Sequence, residues 1–364
     1  MTENLLELRK FVIPEIIIGV DARLLIGRYI SHSNAKKPMI VTAKDIKDWE
    51  WFHETIEQIR PHVEKLFFFD DITPNPKDTE AMLGAELFLS LDCDLIIAIG
   101  GGSAIDCAKC ISIVASNGGN ILDYEGVDEV LMPGPPLICI PTTAGSSADV
   151  SQFAIIKDTS SDIKRAIISK KVVPDLALID PIPLMSMDPY LTACTAMDAL
   201  THAIEAYVSN THSALTDVHA LESIDLINQA IESSITPTRT VEIMFQLMLG
   251  SLQAGLAFSN ASLGAVHAMS HSMGGLLDLP HGECNSILLE HIIRINFDTV
   301  PERYRDIAKQ LGLSVDNVSN FLLLEMIIER IVSIRSSLNI PASIKVAGLS
   351  EQTVDYLVEN ALND

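Results

Sequence analysis

"DLIIAIGGGSAIDCAK", residues 94–109, decides the fold. The run Leu95–Ile99 is continuously apolar, as expected of a strand covered on both faces. Three glycines follow, and a small-residue helix is expected to start near Ser103. The wider apolar window, residues 94–115, includes Asp106, Lys109 and the three glycines, so it reads as strand, loop and helix and not as a membrane span. Glycines let the backbone approach a phosphate, and the free N–H groups of a helix N-terminus favour anions. In an open α/β sheet, ligands sit beyond the carboxyl ends of the strands. A pyrophosphate is the expected guest, and a tight turn without ligand is the alternative. The spacing is not GxGxxG, so the Rossmann fingerprint is absent.

Strand and helix signals alternate on both sides of this stretch. Strands are expected at residues 14–19, 38–42, 65–70 and 94–100, with helices at 21–30, near 50–60 and at about 77–91. "PLICIPTTAGSSADVSQFAII" (136–156) gives a further strand, a small-residue loop and a β excursion, and "LALID" (176–180) ends the series. Such alternation predicts a doubly wound parallel sheet. The loop "PTTAGSS" (141–147) adds hydroxyls and a glycine after a second strand, so the pair of loops points to a dinucleotide. Pro181, Pro183 and Pro189 punctuate a boundary. Beyond it, "LTACTAMDALTHAIEAYVS" and "FLLLEMIIERIVSIRSSL" carry helical spacing and no strand pattern. The expected organisation is an α/β dinucleotide-binding domain, residues 1–187, and an all-α metal- and substrate-binding domain, residues 188–364.

Composition bounds the partners. The chain has 364 residues, too many for one ordinary core. With 48 acidic and 25 basic residues its net charge is -23, which argues against nucleic acid and anionic membrane as partners. "MTENLLELRK" has no secretory pattern. The six cysteines show neither CxxC nor zinc-ribbon spacing, as for reduced thiols in the cytoplasm.

Three of the ten histidines fall in "HAMSHSMGGLLDLPH", residues 267–281. His267 and His271 are four apart, as are Asp198 and His202 in "MDALTHAIEAY", so each pair shares a helix face. His281 is expected in a Pro280–Gly282 turn. A carboxylate with imidazoles suits Zn²⁺ or Fe²⁺. A solvated Asp-x3-His face and a satisfied core histidine pair are the competing readings. Their small apolar neighbours favour a site, because a buried imidazole needs a partner. His212, His219 and His291 lack such company and are read as structural.

Four stretches, "GGGSAIDCAK", "PTTAGSSADVS", "AMDALTHAIEAYVS" and "HAMSHSMGGLLDLPHGECNSILLEHIIRIN", resemble the iron-dependent, or group III, alcohol dehydrogenase family. The resemblance runs from the first strand to about residue 348. It implies a dehydroquinate synthase-like fold, with a divalent metal in the cleft between a dinucleotide domain and a helical domain. The family's metal ligands fall on Asp198, His202, His267 and His281. His271 matches its non-ligand histidine near nicotinamide and substrate, the catalytic candidate. Cofactor contacts carry over to Asn75, Gly101, Gly102, Ser103, Asp106, Thr142, Thr143, Ser146, Ser151 and Lys164. The implied cofactors are Fe²⁺, with Zn²⁺ or another divalent metal as alternatives, and NAD or NADP. The implied activity is hydride transfer between a nicotinamide and a small neutral primary alcohol or diol bound to the metal, or the reverse reduction of an aldehyde, in a cytoplasmic homodimer or larger homo-oligomer. The alternatives are a glycerol-type polyol dehydrogenase and an NAD-using lyase of the same superfamily.

Three departures qualify the resemblance. "SAD" (147–149) stands where the family carries Gly, Ser, Glu. Ala43 and Lys44 follow the strand "VT", where NAD-using members place an acid that repels a 2′-phosphate, which leaves NADP(H) open. The chain ends at Asp364, ahead of relatives with a further helix, so a more open cleft is expected. Between Lys171 and Arg294 the only Lys or Arg is Arg239, which disfavours phosphorylated or polycarboxylate substrates.

Overall fold

The computed structural model describes residues 10–277, 279–344 and 350–362. The segment scanned for a leader, up to residue 9, and the far end of the resemblance near residue 348 lie outside these residues. The strands are β1 (Glu15–Ile18), β2 (Pro38–Thr42), β3 (Phe67–Phe69), β4 (Leu95–Gly100), β5 (Gly126–Val127), β6 (Leu137–Pro141), β7 (Phe153–Asp158), β8 (Ile163–Ile168) and β9 (Leu176–Ile179). Six form one parallel sheet in the order β1-β9-β6-β4-β2-β3. The chain steps outward from β2 to β3, then returns across β2 to β4 and proceeds the other way. The switch point therefore falls between β2 and β4, where such sheets bind ligands beyond their carboxyl ends. Gly100 closes β4 at that end.

Early helices α1 (Ile26–Ser33), α2 (Glu50–Ile59), α3 (Asp78–Ser90) and α4 (Gly102–Asn117) follow β1, β2, β3 and β4 in turn. Alternate strand residues divide between the two faces of the sheet. Met39, Val41, Ile96 and Ala98 pack with Ala81, Ala85 and Phe88 of α3 and Ile105, Ala108 and Ile111 of α4. Ile40, Ile97 and Ile99 pack with Ile26 and Ile30 of α1 and Phe52, Ile56 and Ile59 of α2. Each fully buried aliphatic side chain contributes roughly 1.5–3 kcal/mol by removal from water. The helix expected at 21–30 begins as a 3-10 turn, Ala22–Leu25, entered through Asp21 at φ 67°, and becomes α-helical at Ile26. The antiparallel hairpin β7–β8, joined by β5, makes the small second sheet.

The later helices are α5 (Pro181–Met185), α6 (Pro189–Val208), α7 (Ala214–Ser234), α8 (Val241–Ala261), α9 (Ala265–Leu277), α10 (His281–Asn296), α11 (Pro301–Gln310), α12 (Asn320–Ser337) and α13 (Glu351–Leu362). No strand occurs among the described residues beyond Asp188. The start of α6 is written in "MDP": Pro189 sets the first turn, and Asp188 Oδ1 accepts from the amides of Tyr190 and Leu191. Asp180 and Pro181 do the same for α5. Helix α8 is long and apolar enough to cross a membrane, yet it packs against α6 and α7. The described residues divide into two compact units, one of Val12–Thr143 with Ser147–Met187, the other of Ala144–Ser146 with the described residues from Asp188 on and Lys10–Phe11.

Candidate metal centre and nucleotide loops

Three elements of the helical unit bring their side chains to one point. Asp198 and His202 lie on α6, His267 on α9 and His281 on α10. Ligand atoms of Asp198, His267 and His281 all lie within 4.8 Å of one another. Asp198 Oδ1 is 3.5 Å from His267 Nε2, 3.6 Å from His281 Nε2 and 3.8 Å from His202 Nε2. Asp198, His202 and His267 are at most 5% exposed, and the His281 side chain is 26% exposed, so the group is closed on most sides. His281 corrects the sequence expectation: it is not in a turn but opens α10, with Pro280 as N-cap. The helix must start there, because Gly282 lies against α6. A Cβ at Gly282 would come 2.0 Å from the Cys194 carbonyl oxygen.

Around these side chains stand partners that orient them. Glu205, two turns beyond Asp198 on α6, accepts from His267 Nδ1 at 2.6 Å and from the amides of Val266 and Gly264. A carboxylate there takes the Nδ1 proton in a hydrogen bond and sets the ring with Nε2 facing Asp198. Ser270 Oγ lies 3.0 Å from His281 Nδ1 and holds the orientation of that ring. The His202 ring stacks between those of Phe258 and His267, at centroid distances of 4.3 and 4.4 Å. Sequence reasoning missed Glu205, although 198, 202 and 205 share one face. It also missed Ser270 and Asn285, whose amide nitrogen is 2.6 Å from Asp198 Oδ1.

The electrostatics follow from burial and these contacts. Burial pushes His202 down to about 4, against the pull of Asp198. Burial would also lower His267, but hydrogen bonds to Asp198 and Glu205 outweigh it and raise the ring to about 9. Asp198 resists the upward push of burial, because three imidazoles hold its carboxyl well below the usual range. One carboxylate and three imidazoles at this spacing form a nitrogen–oxygen donor set of borderline softness, which fits Fe²⁺ or Zn²⁺. His271 lies one turn after His267, half-buried, its ring 5.2 Å from that of His281.

The nucleotide candidates of the α/β unit sit at the carboxyl ends of its strands and on the adjoining hairpin. Gly101 caps α4, while Gly102, Ser103 and Asp106 form its first turns. A Cβ on Gly101 would come 3.0 Å from Thr143, which follows β6 beside Thr142, so the two loops are in close contact. Lys109 is wholly buried and donates to the carbonyls of Ser151 and Phe153, at 2.8 and 2.7 Å, which ties the loop before β7 to α4. Asn75 occupies the turn after β3 with φ 57°, and that turn is joined to β7 by the Lys157 amide on Pro76 O. Lys164 lies on β8, and Ser146 groups with the helical unit. Burial pushes Asp106 up to about 7, opposed by Lys109, the Ile155 amide and Lys164. Ser147 takes φ 48°, the left-handed backbone that glycine prefers, at the position where the resembling family carries glycine. Lys44 pairs with Asp71 at 2.7 Å and Lys47 with Asp70 at 2.5 Å, so acids from the end of β3 answer the cations that follow β2.

Comparison with known proteins places these features in a family. The iron-containing alcohol dehydrogenase profile matches residues 14–181, and the profile of the family's C-terminal region matches residues 192–364. The chain is 35% identical to 1,3-propanediol dehydrogenase of Citrobacter freundii over 97% of its own length and 92% of the relative's. It is 34% identical to the NAD-dependent methanol dehydrogenase of Bacillus methanolicus over 97% and 93%. A crystal structure of 1,3-propanediol oxidoreductase superposes with a TM-score of 0.94 at 33% identity, covering 98% of this chain and 94% of that one.

Proposed function

We propose a function from one premise: the chain belongs to the iron-containing alcohol dehydrogenase family. It is a metal-dependent oxidoreductase acting on the CH–OH group of small alcohols or diols. Our reading assigns Asp198, His202, His267 and His281 as the residues that hold its divalent ion, Fe²⁺ in the first instance. The observation that carries this is the convergence of their ligand atoms from three helices, with Asp198 Oδ1 3.5 to 3.8 Å from each imidazole. Bound there, the ion supplies Lewis acidity to an alcohol oxygen or an aldehyde carbonyl.

The residues do the rest. Asp198 brings a single negative charge to a dication, so the centre keeps net positive charge. Glu205 and Ser270 fix the rings of His267 and His281 so that neither turns away from the shared point. His271, outside the ligand set, is assigned to orient the substrate hydroxyl and hold its proton at a ring nitrogen. The first turn of α4, the loops holding Asn75, Thr142, Thr143, Ser146 and Ser151, and Lys164 of β8 are assigned to a dinucleotide, with Asp106 on the same helix as that first turn. Residues 1–187 then serve the coenzyme, and residues 188–364 the metal and substrate.

The substrate is a small neutral primary alcohol, its aldehyde, or a diol. Between Lys171 and Arg294 the sole Lys or Arg, Arg239, lies in the α7–α8 connection, so the stretch of chain that carries the four metal candidates offers no second cation to a phosphate or a polycarboxylate. The diol form is favoured by the likeness to 1,3-propanediol dehydrogenase. NAD(H) is the coenzyme we assign, since the Bacillus relative is NAD-dependent and Lys44 is neutralised by Asp71. The charge of -23 fits a cytoplasmic chain that associates with its own copies, not with nucleic acid or membranes. His267→Ala and His281→Ala are expected to lose bound metal and turnover together while retaining NADH binding. Full metal content and activity in either variant would overturn the ligand assignment.

A further inference from the structure

Asn285 is wholly buried on α10, one turn after His281. Its amide nitrogen lies 2.6 Å from Asp198 Oδ1, 3.1 Å from His267 Nε2 and 3.3 Å from His281 Nε2. The oxygen of the same amide is buried with no hydrogen-bond partner. Donors about 2.1 Å from a common ion sit roughly 3 Å from one another. By that spacing, the head of the Asn285 amide stands as one more vertex of the polyhedron formed by the acid and imidazole ligands.

N–H groups at this vertex can donate to the lone pairs of Asp198 and the two rings. They do not suit a centre that holds a cation, which those hydrogens would face. Amide nitrogen and oxygen have the same shape, and a half-turn about Cβ–Cγ exchanges them with no movement of the helix. The turn brings the oxygen, which has no hydrogen-bond partner where it stands, to the ligand cluster.

We propose that in the metal-loaded chain Asn285 presents its amide oxygen to the ion as a fifth protein ligand. This rests on the metal centre assigned above. The added donor is neutral, so it raises the coordination number and leaves the net charge of the centre unchanged. Oxygen donors of this kind are acceptable to Fe²⁺ and are less favoured by a four-coordinate Zn²⁺ site. The site is thereby biased toward the ion with the larger coordination shell.

Titrating chelator-stripped, full-length protein with Co²⁺ under anaerobic conditions tests this, because visible d–d bands strengthen as coordination number falls. Chelator competition supplies the affinity. Asn285→Leu, near in size but without a donor, is expected to bind Co²⁺ at least about tenfold more weakly and with more intense bands. Asn285→Asp, which keeps an oxygen, is expected to retain the wild-type band intensity. Should the leucine variant fail to fold, Asn285→Ala carries the same expectation. Wild-type affinity and band intensity in the leucine or alanine variant would overturn the inference while leaving the metal centre standing. No cobalt uptake by the wild-type chain would instead remove the metal centre and the inference with it.

Discussion

His267 has contacts at both ring nitrogens: Glu205 holds Nδ1 at 2.6 Å, and Nε2 faces Asp198 and Asn285. Half of that arrangement is legible in the sequence. Aspartate and histidine four apart announce a shared helix face, and Glu205 continues it at the next turn. Asn285 leaves no such mark, because asparagine caps, turns and packs in many places, and only tertiary contact distinguishes this one. Lys44 shows the opposite failure. From sequence it stands where a cation admits a 2′-phosphate, but its Nζ meets Asp71, which follows β3, the strand that pairs with the β2 preceding Lys44. The pair is exposed and worth little in stability; its effect is on local charge. Asp71→Ala is therefore expected to raise kcat/KM for NADPH relative to NADH, and Lys44→Asp to lower it. Both ratios are obtained from steady-state reduction of a short aldehyde, and unchanged ratios in both variants would contradict the role.

At the scale of elements, buried parallel strands were the most readable features, since β2, β4 and β6 are unbroken apolar runs that only a doubly covered sheet accommodates. Caps written as Asp-Pro fixed the starts of α5 and α6. The turn read at Pro280–Gly282 was less secure, because a proline before a helix and a proline in a turn look alike without the partner surface. Contact between Gly282 and the Cys194 backbone makes the difference. The β7–β8 hairpin holds its own titrating clamp. Asp158 accepts from the Ser160 amide and hydroxyl at 2.8 and 2.7 Å and from the Ser161 hydroxyl at 2.7 Å. Burial would raise its carboxyl, but these bonds and Arg165 hold it at about 2, below the ordinary 3.8. A depressed carboxyl stabilises the fold above its ordinary value and loses that contribution as pH falls toward 2. Denaturant midpoints for wild type and Asp158→Asn are therefore expected to differ most near pH 6 and to converge between pH 4 and 2. A gap that stays constant over that range would show that the charge does not hold the hairpin.

For the whole molecule, the change of period near residue 188 separated a strand-and-helix half from a helical half, and the described residues keep that contrast. Ala144–Ser146 group with the helical unit, which no local pattern could indicate, because loop residues carry no period. Helix α8 passes a membrane test on composition and is resolved by packing against α6 and α7. The account as a whole requires that alcohol chemistry depend on an ion held by Asp198 and three imidazoles. Anaerobically reconstituted protein should carry one Fe²⁺ per chain and oxidise NADH with a short aldehyde or hydroxyaldehyde. A chelator should abolish that turnover, and added Fe²⁺ should restore it. Undiminished turnover by protein that elemental analysis finds free of transition metal would contradict the account.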